Sequence, residues 1–338
     1  MTRPAKAVAP LDVRREVALV FPGQGAQQPR MGADLYRVEP TFTAVMDEFF
    51  AAGGAEGRRL RADWLAEQPV PDFDDCCRAQ PLLFAVGAAL AFAVIARGLR
   101  PTVLVGHSVG ELAAAAVAGV FSIAEGSRVM AARTAAMAAT EPGGMLAVAA
   151  GVGRIREVLG ADLAEQGIAV AAINSPYQTV LSGATAELRS AERALTAEVV
   201  ACRPVKARQA FHSPLCAGAA ARFGELLGRI ELRPPAITIR STCTARDVTA
   251  AESVTPEFWS AQLSRPVLFW PAMDDLLRSG SRLFLEAGPK GSCAAVLRLH
   301  PAVQSRTHVV LPLLPAASRA DARAVFDESV GAALAMTA

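Results

Sequence analysis

The pentapeptide Gly106-His107-Ser108-Val109-Gly110 lies between the apolar run Val103-Leu104-Val105 and the alanine-rich stretch Leu112–Ala118. That is the layout of a strand, a sharp turn and a helix, with a serine at the turn. The flanking glycines let the backbone bend tightly and approach its neighbours, which pushes the serine oxygen into the open. The serine also starts a helix, so its oxygen feels the helix's positive end beside free backbone N–H groups. The chain must therefore build a strand that delivers this turn and a helix that carries it away. The chemistry implied is covalent acyl chemistry on Ser108.

The rest of the chain supplies a sheet for that elbow. Val17–Phe21 reads as a short strand ended by Pro22-Gly23-Gln24-Gly25. Leu82–Ala96 reads as a buried helix, Val103–Val105 as the strand feeding the elbow, and Leu112–Val120 and Ala124–Ala139 as helices. Strand and helix alternate, which predicts a parallel sheet with helices on both faces. From Gly143 to Lys206 the rhythm changes. Strands are expected at Met145–Ala149, Ile168–Ile173, Thr179–Leu181 and Val199–Val205, and helices at Gly153–Gln166 and Glu187–Thr196. This is the β-α-β-β-α-β order of a ferredoxin-like unit. Ile237–Arg240 and Leu283–Leu285 then return as strands to the larger sheet. The expected division is a tail over residues 1–16, a large unit over 17–141 and 208–338, and a small inserted unit over 142–207.

With 338 residues, 52% of them hydrophobic, the chain can bury a large core. A net charge of +2 points to neither nucleic acid nor a charged membrane surface as partner. The run Ala79–Ala96 carries no charge and is nearly long enough to span a bilayer. Pro81 and Gly87 interrupt it and Arg97 closes it, so a buried helix is the better reading. Six cysteines without a C-x-x-C pair predict free thiols in a reducing compartment. The first fifteen residues lack the apolar stretch of a secretory signal, so a cytoplasmic location is expected. The four histidines have no metal-ligand spacing, and no metal is expected.

Ser108 needs a base, and a neutral imidazole is the usual one. His107 adjoins the serine, so its side chain should point away from the reaction face. His300 and His308 lie in a Pro-flanked stretch and before an apolar run. His212, in Phe211-His212-Ser213-Pro214, lies at the second junction between the small and large units, where a cleft is expected. His212 is therefore the candidate base, against the alternative of an ordinary core or surface histidine. A hydrolase built on such an elbow also wants an acid between serine and histidine in the chain. Glu187, Glu192 and Glu198 are available, but all sit on or beside one helix of the insert. A backbone carbonyl orienting the histidine is the alternative.

Phe21-Pro22-Gly23-Gln24-Gly25-Ala26-Gln27, Gly106-His107-Ser108-Val109-Gly110-Glu111, Gly143-Gly144-Met145, Asn174-Ser175-Pro176 with Ser182-Gly183, Ala210-Phe211-His212-Ser213 and Arg265-Pro266-Val267-Leu268-Phe269 occur in this order. Together, over about residues 17 to 315, they resemble the malonyl-CoA:acyl-carrier-protein transacylase family, which includes the acyltransferase domains of polyketide synthases. The resemblance implies an α/β-hydrolase-like large subdomain with a ferredoxin-like insert. It makes Ser108 the acylated nucleophile and His212 the general base and acid. The backbone N–H groups of Gln24 and Val109 become the oxyanion hole. A carbonyl of the segment 265–269, assigned to Leu268, becomes the group that orients His212. Fatty-acid-type relatives carry Gln where Leu268 stands, so a backbone role alone survives there.

The resemblance also gives Arg133, twenty-five positions after Ser108, the task of gripping the free carboxylate of a malonyl-type substrate. A planar guanidinium suits a carboxylate through two parallel bonds; a solvated helix arginine is the plain alternative. Gln209-Ala210-Phe211-His212 is closer to the signature of malonyl users than to that of methylmalonyl users. Phe211 is expected to crowd an α-methyl group, although simple core packing would also account for it. Gln209 and Asn174 are further substrate-binding candidates. Arg58-Arg59-Arg61 and Arg203-Lys206-Arg208 could meet acidic carriers or coenzyme A phosphates, or simply be solvated.

The resemblance thus implies an acyltransferase with no bound cofactor, coenzyme A thioester as donor and carrier phosphopantetheine as acceptor. It is expected to act as a monomer and in trans, with malonyl-CoA and an acyl carrier protein as partners. Transfer of another acyl group between two carriers, or editing hydrolysis, is the alternative; a non-catalytic docking protein is a distant third.

Overall fold

Val17 to Phe21 are all buried, and the strand they form is the middle of the larger sheet. The computed structural model describes residues 15–317 and 321–338. The tail expected over residues 1–16 lies, but for its last two residues, outside them. Nine strands occur among the described residues: β1 (Glu16–Phe21), β2 (Pro101–Gly106), β3 (Gly144–Val148), β4 (Ile168–Ser175), β5 (Gln178–Gly183), β6 (Cys202–Pro204), β7 (Thr238–Arg240), β8 (Arg282–Glu286) and β9 (Val309–Pro312). The five-stranded sheet runs β7-β2-β1-β8-β9 with every pair parallel. Parallel strands buried on both faces read as continuous apolar runs, which is why Val17–Phe21 and Val103–Val105 stand out in the sequence.

The second sheet runs β4-β5-β3-β6, all antiparallel, with helices Val152–Leu159 and Thr185–Ala197 between its strands. This is the ferredoxin-like order, and the molecule is an α/β fold of the expected class. The expected helix Gly153–Gln166 stops at Leu159, because Gly160 turns to φ +100°. A short 3-10 turn, Ala164–Gln166, follows. The expected strand Val199–Val205 pairs only over Cys202–Pro204.

Helix Cys76–Ala96 is the described helix long and apolar enough to cross a membrane, and 83% of its apolar window is buried inside the fold. It packs with helices Pro40–Ala52, Gly110–Val117 and Ile123–Ala138 to form the main apolar core. Asp75 caps its first turn by accepting from the Cys77 N–H at 2.9 Å. A second apolar cluster joins the sheets: Ala171, Ala172 and Val180 of the small one meet Phe284 of the large one, together with Val267 and with Phe269 and Met273 of helix Phe269–Leu277. All six cysteines are free.

Candidate active site

The elbow forms where β2 ends. The His107 N–H donates to the Phe21 carbonyl at 2.8 Å, tying the turn to the end of β1. A Cβ at Gly106 would lie 2.1 Å from the Glu111 nitrogen, and one at Gly110 would lie 2.2 Å from the Phe21 carbonyl oxygen. Only glycine fits either place. Ser108 sits at φ +54°, in the left-handed region that costs a non-glycine residue about 1 kcal/mol or more. Helix Gly110–Val117 starts two residues later. Neither the Val109 N–H nor the Gln24 N–H donates to a protein acceptor among the described residues. The Gln24 turn is held by Lys290, whose ammonium donates to the Gly25 carbonyl at 2.9 Å.

His212 also adopts positive φ, +61°, and its N–H donates to the Leu263 carbonyl at 2.8 Å. Its Nε2 lies 2.8 Å from Ser108 Oγ, and its Nδ1 lies 3.0 Å from the Arg265 carbonyl oxygen. An Nδ1–H donating to that carbonyl leaves Nε2 free to accept the serine proton. Burial, then the nearby Arg133 and His107, push the imidazole down to about 3, so it is a neutral base at neutral pH. The assignment of the orienting carbonyl to Leu268 is thereby corrected. Leu268 precedes helix Phe269–Leu277, and its carbonyl already accepts from the Ala272 N–H at 3.1 Å.

Arg133, on helix Ile123–Ala138, is completely buried. Its Nε donates to Gln80 Oε1 at 2.8 Å, while Nη1 and Nη2 have no protein partner. Gln80 in turn donates to Gln24 Oε1 at 2.8 Å, so one chain of amides links Arg133 to the Gln24 turn. Burial lowers the guanidinium to about 10, which leaves it cationic at neutral pH. A buried cation with two unused donors is costly unless an anion meets it. The arrangement can therefore hold a carboxylate near an activated serine.

Phe211 is buried, with its ring 6.3 Å from that of His212, and it belongs to the main apolar core as well. Gln209 lines a cleft with Gln24 and Cys76. Asn174 lines a neighbouring cleft with Gln24 and His107, and its Oδ1 lies 2.8 Å from His107 Nε2. Of the basic clusters, Lys206 and Arg208 are paired with Asp74 and Asp72 across the first cleft. Gln80 is missed by sequence reasoning, whereas Arg265 is the first residue of the segment 265–269 in which the carbonyl beside His212 is expected, with Leu268 the wrong choice within it. Gln80 does carry a signal, as the only polar side chain in the uncharged run Ala79–Ala96. A residue acting through its carbonyl carries none.

The acyl transferase domain family matches residues 18–318. A phenolphthiocerol/phthiocerol polyketide synthase polypeptide from Mycobacterium tuberculosis is 33% identical over 299 residues, 88% of this chain. The chain spans 20% of that polypeptide's length. The crystal structure of the acyltransferase domain from the second module of the salinomycin polyketide synthase superposes with a TM-score of 0.85 at 32% identity, covering 96% of this chain and 74% of that one. The acyl transferase domain of SpnD, in complex with 2-(pent-4-yn-1-yl)malonyl, superposes with a TM-score of 0.87 at 28% identity, covering 96% of this chain and 78% of that one.

Proposed function

The chain belongs to the acyl transferase domain family, and from that premise we propose that it moves a malonyl unit from coenzyme A to the phosphopantetheine thiol of an acyl carrier protein, offered in trans for polyketide or fatty-acid synthesis. Ser108 Oγ attacks the thioester carbonyl carbon while its proton passes to His212 Nε2. The carbonyl oxygen takes up the negative charge against the Gln24 and Val109 N–H groups. The C–S bond then breaks, and the coenzyme A sulfur leaves with the proton that His212 returns. The second half runs in reverse: the carrier thiol gives its proton to His212 and attacks the malonyl-serine ester, and Ser108 is regenerated. No bound cofactor enters either half.

The observation that carries this reading is the pair of unpartnered Arg133 amino groups in a fully buried side chain. They match a malonyl carboxylate, whereas an acetyl group would leave the cation unpaired, so acetyl should be rejected strongly. Phe211 beside His212 favours malonyl over methylmalonyl, by about 1–3 kcal/mol at most for one methyl.

Intact-protein mass spectrometry after mixing with malonyl-, methylmalonyl- and acetyl-CoA tests the proposal. Wild type should gain one malonyl group, Ser108→Ala none, and Arg133→Ala should lose the preference for the carboxylated donor. Equal labelling of wild type by acetyl and malonyl would remove Arg133 from the reading.

A further inference from the structure

Behind the serine and histidine lies a small cavity lined by Ser108, Glu111, His212, Thr242, Gln262 and Arg265, among others. Glu111 is three residues past the serine, on the first turn of the elbow helix, and is 1% exposed. Its Oε2 accepts from the Thr242 N–H at 3.2 Å and from the Thr242 hydroxyl at 3.1 Å. The same hydroxyl lies 2.8 Å from the Gly106 carbonyl, at the end of β2. Thr242 passes the connection on, since its carbonyl accepts from the Leu268 N–H. Leu268 ends the segment that starts at Arg265, whose carbonyl orients His212. Glu111 Oε1 has no protein partner, nor has either polar atom of the Gln262 amide.

We propose that Glu111 is a positioning residue for acyl transfer: it fixes the Arg265 carbonyl against His212 through Thr242 and Leu268, and its carboxylate stabilises the His212 imidazolium across the cavity they share. The proposal rests on the acyl-enzyme reading above. It supplies the acid that such an elbow wants between serine and histidine in the chain, three residues past the serine rather than on the insert helix of Glu187 and Glu192. A buried carboxylate near a transient cation acts in a weakly screened medium, so its charge is felt beyond contact distance.

Burial raises Glu111 to about 7, against the Thr242 hydrogen bonds that favour the charged form. The carboxylate is therefore ionised above neutrality and protonated below it. His212, held down to about 3, is already a free base throughout that range. Three other groups bear on this region. The Cys243 thiol is pushed up to about 11, His107 is held below its ordinary value by burial, and Arg265 brings a guanidinium. Acylation is therefore expected to quicken as pH rises through about 7 and Glu111 ionises.

The test is single-turnover acylation by malonyl-CoA, read by quench and intact mass, as a function of pH. Wild type should show one rising limb near neutrality. Glu111→Gln keeps an oxygen acceptor for Thr242 but cannot ionise. It should lose the limb and label about tenfold or more slowly at about pH 8. Thr242→Val removes one donor to the carboxylate and should move the limb to higher pH. A limb that persists in Glu111→Gln, or that stays in place in Thr242→Val, overturns the proposal. If Glu111→Gln does not fold, Thr242→Val alone decides. Failure of wild type to label at any pH strikes the acyl-enzyme reading instead.

Discussion

Arg133 is fixed by one nitrogen and left free at two, and the group that fixes it is Gln80. Gln80→Leu keeps the side chain's bulk and removes the acceptor. The Arg133 Nε–H is then buried without a partner, a loss of about 1–3 kcal/mol, and the guanidinium can turn away from its working angle. The Gln24 turn loses its amide donor as well. We expect kcat/KM for malonyl-CoA to fall about tenfold or more while the slow reaction with acetyl-CoA hardly changes. Steady-state kinetics with both donors checks this, and an equal fall on both would show a general loss of structure. Ser108, His212 and Arg133 are legible as candidates because each offers a side chain in a recognisable pattern. Gln80 is one amide inside an apolar helix, and its meaning depends on two residues that only folding brings to it. Arg265 acts through a group every residue has, which explains why attention falls on Leu268 three positions away.

Two buried carboxylates beside helix starts set a pH dependence of stability. Glu286 ends β8, and its carboxylate accepts from the Cys293 N–H at 3.1 Å and the Ala294 N–H at 2.7 Å, the first turn of helix Ser292–Leu297. Burial outweighs those bonds and raises Glu286 from its ordinary 4.5 to about 7. Between these values the folded chain keeps a proton that the unfolded chain has lost, so stability falls as pH rises across the window. Glu111 is raised to about the same value and adds a second contribution of the same sign. Glu286→Gln keeps an oxygen for one of the two N–H groups, sets an amide NH2 against the other, and removes the titration, so it is the pH slope and not the absolute stability that reports on the carboxylate. Its melting temperature should fall less than that of wild type between about pH 5 and about pH 8, with Glu111 supplying the remaining slope. Parallel pH slopes for the two proteins would refute this. The strands and long helices around these sites are legible from their apolar runs. Helix Gly54–Leu65 is not, for it opens on a glycine and buries only Gly57, Leu60 and Trp64. The Gly153–Gln166 pattern misleads because a single positive-φ glycine ends the helix early.

The two sheets meet beside the candidate site, and this has consequences for how the whole chain unfolds. The Val267 N–H donates to the Ala171 carbonyl at 2.8 Å, and the Val267 carbonyl accepts from the Ile173 N–H at 2.9 Å. The edge strand β4 is thereby joined, at Ala172 and Val267, to the segment that carries the Arg265 carbonyl. Asn174 reaches the elbow a second way, through His107. Left to itself the small sheet has one modest core, built on residues such as Leu146, Ile155, Leu181 and Leu195. A unit of that size buries too little apolar surface to be comfortably stable alone. Its other apolar face is the shared cluster with Phe269, Met273 and Phe284. Stability of the small sheet should therefore depend on the large one, despite the many residues that separate their strands. We expect a single calorimetric transition with matching calorimetric and van't Hoff enthalpies. Ala172→Asp puts an unpaired charge in the seam, and it should lower that one transition as a whole and abolish malonyl labelling with it. Two resolved transitions in wild type, or a variant that loses only a minor early one, would mean that the small sheet folds independently and that the site is merely assembled where it docks.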